Sequence, residues 1–154
     1  MVWIGMSARG LTQPIFVEPG AKINAQYYIS AILTPFIDDL APQLYPEGGY
    51  IFHQDSAPSH SAKVTLDFLK SKNIKFIHPL EHTPTSHAAP CDFFLWGYLK
   101  SQLAHRKVET IEGLKNIIRD EVRKVPITMI QDALRSWPRR LREIYYAKGY
   151  HIEN

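Results

Sequence analysis

The stretch that most constrains this chain is a short apolar strand that ends on a carboxylate and runs into a turn. Tyr50, Ile51 and Phe52 are good strand formers. Gly48 and Gly49 punctuate the chain before them, and Ser56 and Pro58 punctuate it after Asp55. An acidic residue at the carboxyl end of a buried strand stands where α/β sheets gather ligands and chemistry. The other reading is that Asp55 only turns the chain, as Asp often does after a strand.

A second carboxylate bears on that choice. Pro90 stops whatever precedes it, and an apolar helix is expected from about Asp92 to Leu103. A carboxylate in a first helical turn is favoured by the helix dipole, so Asp92 is either helix-start decoration or part of a site. A helix and a strand separate the two aspartates, and such a segment can bring the end of a strand and the start of a helix to one spot. Two carboxylates meeting there could hold divalent metals for phosphoryl transfer.

The remaining elements read as follows. Met1 to Ser7 is expected to be one strand, turned by Arg9-Gly10, and Ile15-Phe16-Val17 a second, closed by Pro19-Gly20. Asn24 is a candidate N-cap for a long helix, in which Tyr27, Tyr28, Ala31, Ile32, Pro35, Phe36 and Leu40 recur at helical spacing and read as core. Pro35 should kink or reset that helix, and Pro42, Pro46 and the glycine pair should break the chain before Tyr50. A helix is expected from about Ser61 to Lys72, with Ala62, Thr65, Phe68 and Leu69 on one face, then a strand from Ile74 to Ile77 ended by Pro79, then a loop over 81–87.

The C-terminal part reads as helices from about residue 110. The Asp92 helix is apolar nearly all round, which predicts burial. Ala104-His105-Arg106-Lys107 is a basic exit. Leu114, Ile117, Ile118, Val122 and Val125 form an amphipathic helix whose outer face carries Lys115, Arg119, Asp120, Arg123 and Lys124. Thr128 and Gln131 have capping-box spacing for the last helix, and Ile130, Leu134, Trp137, Leu141, Ile144 and Tyr145 form its expected buried stripe. Pro138 should bend that helix, or Ser136 should cap a separate segment. Arg135, Arg139, Arg140 and Arg142 lie on or near the other face, either as solvated surface or as phosphate contacts.

Composition excludes several classes. The 154 residues are enough for one domain with a real core, and 45% hydrophobic with 21% charged residues is ordinary for a globular protein. A net charge of +3 with pI near 9.0 permits a nucleic-acid partner without requiring one. Cys91 is the single cysteine, so there is no internal disulfide framework. No apolar run is long enough to span a membrane, and no secretory signal is legible. His53, His60, His78, His82 and His87 cluster without the ligand spacing and cysteine pairs of a zinc site, and read as surface or hydrogen-bonding histidines.

Three blocks carry a resemblance. His53-Gln54-Asp55-Ser56-Ala57-Pro58-Ser59-His60 resembles the QD-x-AP-x-H block of mariner-type transposases. Pro90-Cys91-Asp92-Phe93-Phe94-Leu95-Trp96-Gly97 is similar to the block bearing that family's last catalytic carboxylate, and Met1-Val2-Trp3-Ile4-Gly5-Met6-Ser7-Ala8-Arg9-Gly10 to the strand between its first two carboxylates. Their order matches, and the resemblance covers essentially the whole chain. It implies an α/β fold, a ribonuclease-H-like mixed sheet with flanking helices and with the first strand missing. It implies metal-dependent DNA strand cleavage and strand transfer, with Asp55 and Asp92 as catalytic, metal-holding carboxylates and Gln54 and His60 in support.

Mg2+ or Mn2+ would be the metal, DNA the partner, a second copy a further partner, and the nucleus the location; no other cofactor is implied. Arg106, Lys107, Arg135, Arg139 and Arg140 are the candidate DNA contacts. The pattern departs at the family's auxiliary Asp, where this chain has His87. The family's first carboxylate and its helix-turn-helix modules have no counterpart here, and Glu18 lies on the wrong element to replace that carboxylate. The expectation is therefore a single partial catalytic domain over 1–154, a fragment or remnant with little or no activity of its own. The alternative is a non-catalytic nucleic-acid-binding or dimerisation module derived from a transposase.

Overall fold

The computed structural model describes residues 1–81 and 88–148. They fall into two compact units, Met1–Trp3 with Ile15–Pro84, and Ile4–Pro14 with Thr85–Asn154. The strands are β1 (Val2–Trp3), β2 (Met6–Ser7), β3 (Gly10–Leu11), β4 (Ile15–Phe16), β5 (Ile51–Phe52) and β6 (Lys75–Phe76). All are two residues long.

The strand expected from Met1 to Ser7 is split in two. Thr12 donates its N–H to the Gly5 carbonyl at 2.9 Å, and its Oγ1 accepts the Gly5 N–H at 2.8 Å. These bonds hold Gly5 in a local bridge, and the ladder stops there. β1 pairs antiparallel with β4 in the first unit, and β2 pairs antiparallel with β3 in the second. Gly10, with φ 135°, closes the β2–β3 hairpin in a conformation that L side chains rarely adopt.

In the first unit a helical run begins with α1 (Ala25–Tyr28) and ends with α2 (Ala41–Leu44). Asn24 caps it as expected, its Oδ1 accepting the Tyr27 N–H at 2.8 Å. Two π turns, Ile29–Leu33 and Phe36–Leu40, flank Pro35. Proline has no N–H to give its own turn, and the wider bonds on either side, Thr34 N–H to Ile29 O and Ala41 N–H to Phe36 O, absorb the mismatch. Pro35 thus resets the helix rather than ending it. Pro42 does not break the chain either, because it sits in the first turn of α2 and the helix continues to Leu44. Tyr28, Ile29, Ile32, Leu33 and Phe36 form one buried stripe at helical spacing, and the five-residue step across the second π turn brings Ala41 onto it, in the core with Phe52 and Leu69.

The helix expected from about Ser61 to Lys72 is α4 (Lys63–Ser71), and a short helix ahead of it, α3 (Pro58–Ser61), joins it through Ala62 in extended geometry. They form the crossover between β5 and β6, which pair parallel with Phe52 opposite Phe76. The expected strand from Ile74 to Ile77 shortens to β6.

The second unit contains a π turn, Cys91–Leu95, followed by α5 (Trp96–Leu103), α6 (Ile111–Lys124) and α7 (Ile127–Tyr146). The segment from Asp92 to Leu103 is less buried than its composition predicts: of these residues only Leu95 and Leu99, one face of the helix, are fully covered. Thr110 caps α6 by accepting the Gly113 N–H at 3.0 Å. The capping box at Thr128 and Gln131 does not form, because α7 starts at Ile127 and Thr128 is already inside its first turn. The Gln131 amide reaches the Ala8 carbonyl instead, at 3.2 Å. α7 runs through Pro138 unbroken, and Ser136 Oγ donates back to the Ala133 carbonyl rather than capping a new segment. Ile130, Ala133 and Ile144 are buried, whereas Tyr145, expected in the stripe, is 79% exposed.

Candidate active site

Asp55 stands beyond the carboxyl end of β5. Its Oδ1 accepts the Ala57 N–H at 3.0 Å, which makes the turn local and self-supporting. The same oxygen meets His60 Nδ1 at 2.5 Å. With Asp55 ionised, that contact needs the proton on Nδ1. The Asp55 side chain is 61% exposed and that of His60 only 19%. The carboxylate therefore faces solvent while its imidazole partner is tucked behind it. The turn reading of Asp55 is the one the geometry shows, and the carboxylate that makes the turn is held by Ala57 and His60 and presented outward.

Gln54 braces this loop from within. Its Nε2 donates to the His60 carbonyl at 3.1 Å, and its Oε1 lies 2.7 Å from the Tyr28 hydroxyl. A backbone carbonyl only accepts, so the Gln54 amide has one workable orientation and Tyr28 must be the donor. The Tyr28 ring lies against the His60 imidazole, with centroids 4.1 Å apart at 31°. Burial pushes the Tyr28 phenol well up, the nearby Asp55 charge adds to this, and a hydrogen bond with Trp3 opposes it. Tyr28 thus remains a donor at ordinary pH. Sequence reasoning placed Tyr28 in the core stripe and missed this connection. The usable signal was a tyrosine, rather than a phenylalanine, at a buried position, where the hydroxyl needs a partner.

Asp92 belongs to the second unit, exposed in the first turn of the Cys91–Leu95 segment, with its N–H bonded to the Ala89 carbonyl at 2.9 Å. Trp137 Nε1–H donates to the Ala88 carbonyl at 2.6 Å, tying α7 to the chain just ahead of Asp92. The Arg140 guanidinium lies 4.1 Å from the centre of the Phe93 ring. Burial, with a smaller contribution from the Asp92 charge, pushes the Cys91 thiol up to about 12. Cys91 is therefore no nucleophile near neutrality.

The candidate DNA contacts differ in their surroundings. Arg106 Nη2 lies 2.7 Å from Glu121, a carboxylate buried in α6 that Lys124 also meets at 3.0 Å. Bonds from Lys124, and charges and a bond from Arg106, hold the Glu121 carboxyl below its ordinary range. Arg135 pairs with Asp132 and Arg139 with Glu143 along α7, and Lys107 is exposed. Among the described residues no group of three or more His, Cys, Asp or Glu side chains is placed to hold a metal ion. His82 and His87 lie outside the described residues.

No family model and no curated protein sequence matches this chain. Solved structures do. The catalytic domain of Mos1 mariner transposase matches with a TM-score of 0.83 at 20% identity, over 99% of this chain and 75% of that one. The same catalytic domain with raltegravir and Mn matches with a TM-score of 0.83 at 20% identity, over 99% of this chain and 76% of that one. The Mos1 strand transfer complex matches with a TM-score of 0.85 at 22% identity, over 99% of this chain and 43% of that one. The chain thus has the fold of a mariner transposase catalytic domain, the ribonuclease-H-like α/β fold that the resemblance implied.

Proposed function

We propose that this chain is a fragment or remnant of a DNA transposase catalytic domain, with little or no strand-cleaving activity of its own, that retains a place for a divalent cation, Mg2+ or Mn2+, held through Asp55 and Asp92. The observation that carries the reading is the Asp55 geometry: an exposed carboxylate just beyond β5, whose Phe52 is buried, fixed by Ala57 and His60, in a chain with this fold. The donor chemistry fits. Mg2+-type ions keep several waters and bind through one or two carboxylates plus substrate phosphate oxygens, so two exposed carboxylates suit such an ion. When bound, the cation would activate the attacking oxygen or steady the leaving one. The chain's own residues have separate tasks. Asp55 and Asp92 supply negative charge, His60 and the Ala57 N–H fix the Asp55 carboxylate, and Gln54 holds the loop that carries His60.

DNA is the proposed partner, through phosphate contacts from Lys107, Arg135, Arg139 and Arg140, and the nucleus the proposed location; pairing with a second copy is part of the same reading. Exposed ion pairs such as Arg135–Asp132 are worth only about 0–1 kcal/mol, so a DNA phosphate can displace the acid. Arg106 is the weaker candidate, since its guanidinium is engaged with buried Glu121. No helix of the described residues is long and apolar enough to cross a membrane.

The test is Mn2+ binding to the purified chain, compared with Asp55→Asn and Asp92→Asn. Saturable binding lost in both variants supports a shared site. Binding by a folded chain that survives both substitutions removes the metal reading, and a folded chain that binds no Mn2+ removes it too.

A further inference from the structure

We propose that Tyr28 is a positioning residue for Asp55, acting through His60 and Gln54 from the buried side of the loop. The proposal rests on the reading of Asp55 as a metal-holding carboxylate, and it adds the element that sets the direction of that carboxylate.

Two contacts of different kind leave Tyr28. Its ring lies against the His60 imidazole at 4.1 Å between centroids, which restricts rotation of the imidazole about its own bond to the chain. Its hydroxyl donates to Gln54 Oε1 at 2.7 Å, and Gln54 passes the restraint on by donating to the His60 carbonyl at 3.1 Å. One buried side chain thus grips both the ring and the backbone of His60. The gripped imidazole meets Asp55 Oδ1 at 2.5 Å. Tyr28 itself is only 2% exposed, so a solvent-facing ligand would not touch it. His60 is the direct partner of the carboxylate, and mutation of such direct partners typically weakens a metal about 10- to 100-fold; Tyr28 stands one step further back, so its loss should weaken the metal by less.

Because Tyr28 is also core, loss of fold must be separated from loss of positioning. The hydroxyl and the ring can be removed in turn. Tyr28→Phe keeps the ring contact and deletes the bond to Gln54, while Tyr28→Leu deletes both. The primary readout is the 15N NMR signal pair of the His60 ring, which reports whether Nδ1 carries the proton and faces a carboxylate. It needs no metal. In the unaltered chain the pair should show a single Nδ1–H tautomer, and Asp55→Asn should shift it. Tyr28→Phe should shift the pair part of the way, and Tyr28→Leu should average the two tautomers.

The second readout is Mn2+ affinity, expected to fall about twofold in Tyr28→Phe and up to about 10-fold in Tyr28→Leu, at or below the low end of the range for direct partners of a metal-holding carboxylate. If Tyr28→Leu does not fold, Tyr28→Phe alone decides. Unchanged His60 signals in a folded Tyr28 variant would overturn the proposal, whatever the metal does. A chain that binds no Mn2+ yet shows the His60 shifts would remove the metal reading and retain Tyr28 as the residue that orients His60 on Asp55.

Discussion

Thr65→Val is the substitution that best isolates how the fold fixes the candidate site. Thr65 is 0% exposed, and its Oγ1 donates to the Ser59 carbonyl at 2.7 Å. That carbonyl and the His60 N–H belong to one planar peptide unit, so holding the first orients the second. Valine keeps the shape and removes the donor. Leaving the Ser59 carbonyl without it costs about 1–3 kcal/mol. The new methyl group recovers about 0.8 kcal/mol of apolar burial. The net loss is about 0.2–2.2 kcal/mol, which for a chain of this length lowers Tm by at most about 9 °C. Thr65→Ser is the control. It keeps the donor and gives up a methyl group, at about 1 kcal/mol. Melting temperature alone does not separate the two variants, but the His60 ring signals do: they should move in Thr65→Val and stay in place in Thr65→Ser. Equal His60 signals in all three proteins would refute the claim that this bond holds the loop.

Asn24→Ala removes the side-chain acceptor for the Tyr27 N–H and should cost about 1 kcal/mol in urea unfolding. Asn24→Asp should cost little, and equal losses in the two would show that the cap contributes nothing. Glu121 has a folded pKa below its ordinary value, so its contribution to stability is complete above the unfolded pKa of about 4.3 and is lost as pH falls through the lower folded pKa. Melting of the original chain and of Glu121→Gln should therefore differ most near neutrality and converge only as pH falls through the lowered folded pKa; a gap that does not change with pH contradicts the assignment.

What was legible in the sequence is what is encoded over a few residues. β5 and the Asp55 turn were readable because strand formers, an Asx-type turn and Pro58 act locally. The Asn24 cap was readable for the same reason, one side chain reaching the amide three residues on. The misses have a common form. The Gln131 side chain found a carbonyl 123 positions away instead of completing a box with its neighbour. Ile29 and Leu33 share helical spacing with Ile32 and Phe36, yet they were left out of the expected core, and the π turn over Phe36–Leu40 put Ala41 rather than Leu40 in it. The Tyr28 hydroxyl reaches Gln54 across 26 positions, and nothing in its local pattern says so.

Charge was the least legible property, and Glu121 shows why. A helix face reads as solvent-exposed when its residues are polar, yet Glu121 sits in the covered part of α6. A buried carboxylate is costly unless it is paired and hydrogen-bonded, and two cations, Arg106 and Lys124, meet this one. The pairs along α7 differ in kind: Arg135–Asp132 and Arg139–Glu143 are turn-to-turn contacts between exposed groups, cheap to break and screened by salt. Sequence shows five basic residues of equal standing, but the environment ranks them. Withdrawing Arg106 from Glu121 leaves a covered carboxylate short of a cation, so its first task is structural. Arg135 and Arg139 can change partners at little cost, which is what a residue that meets DNA must do.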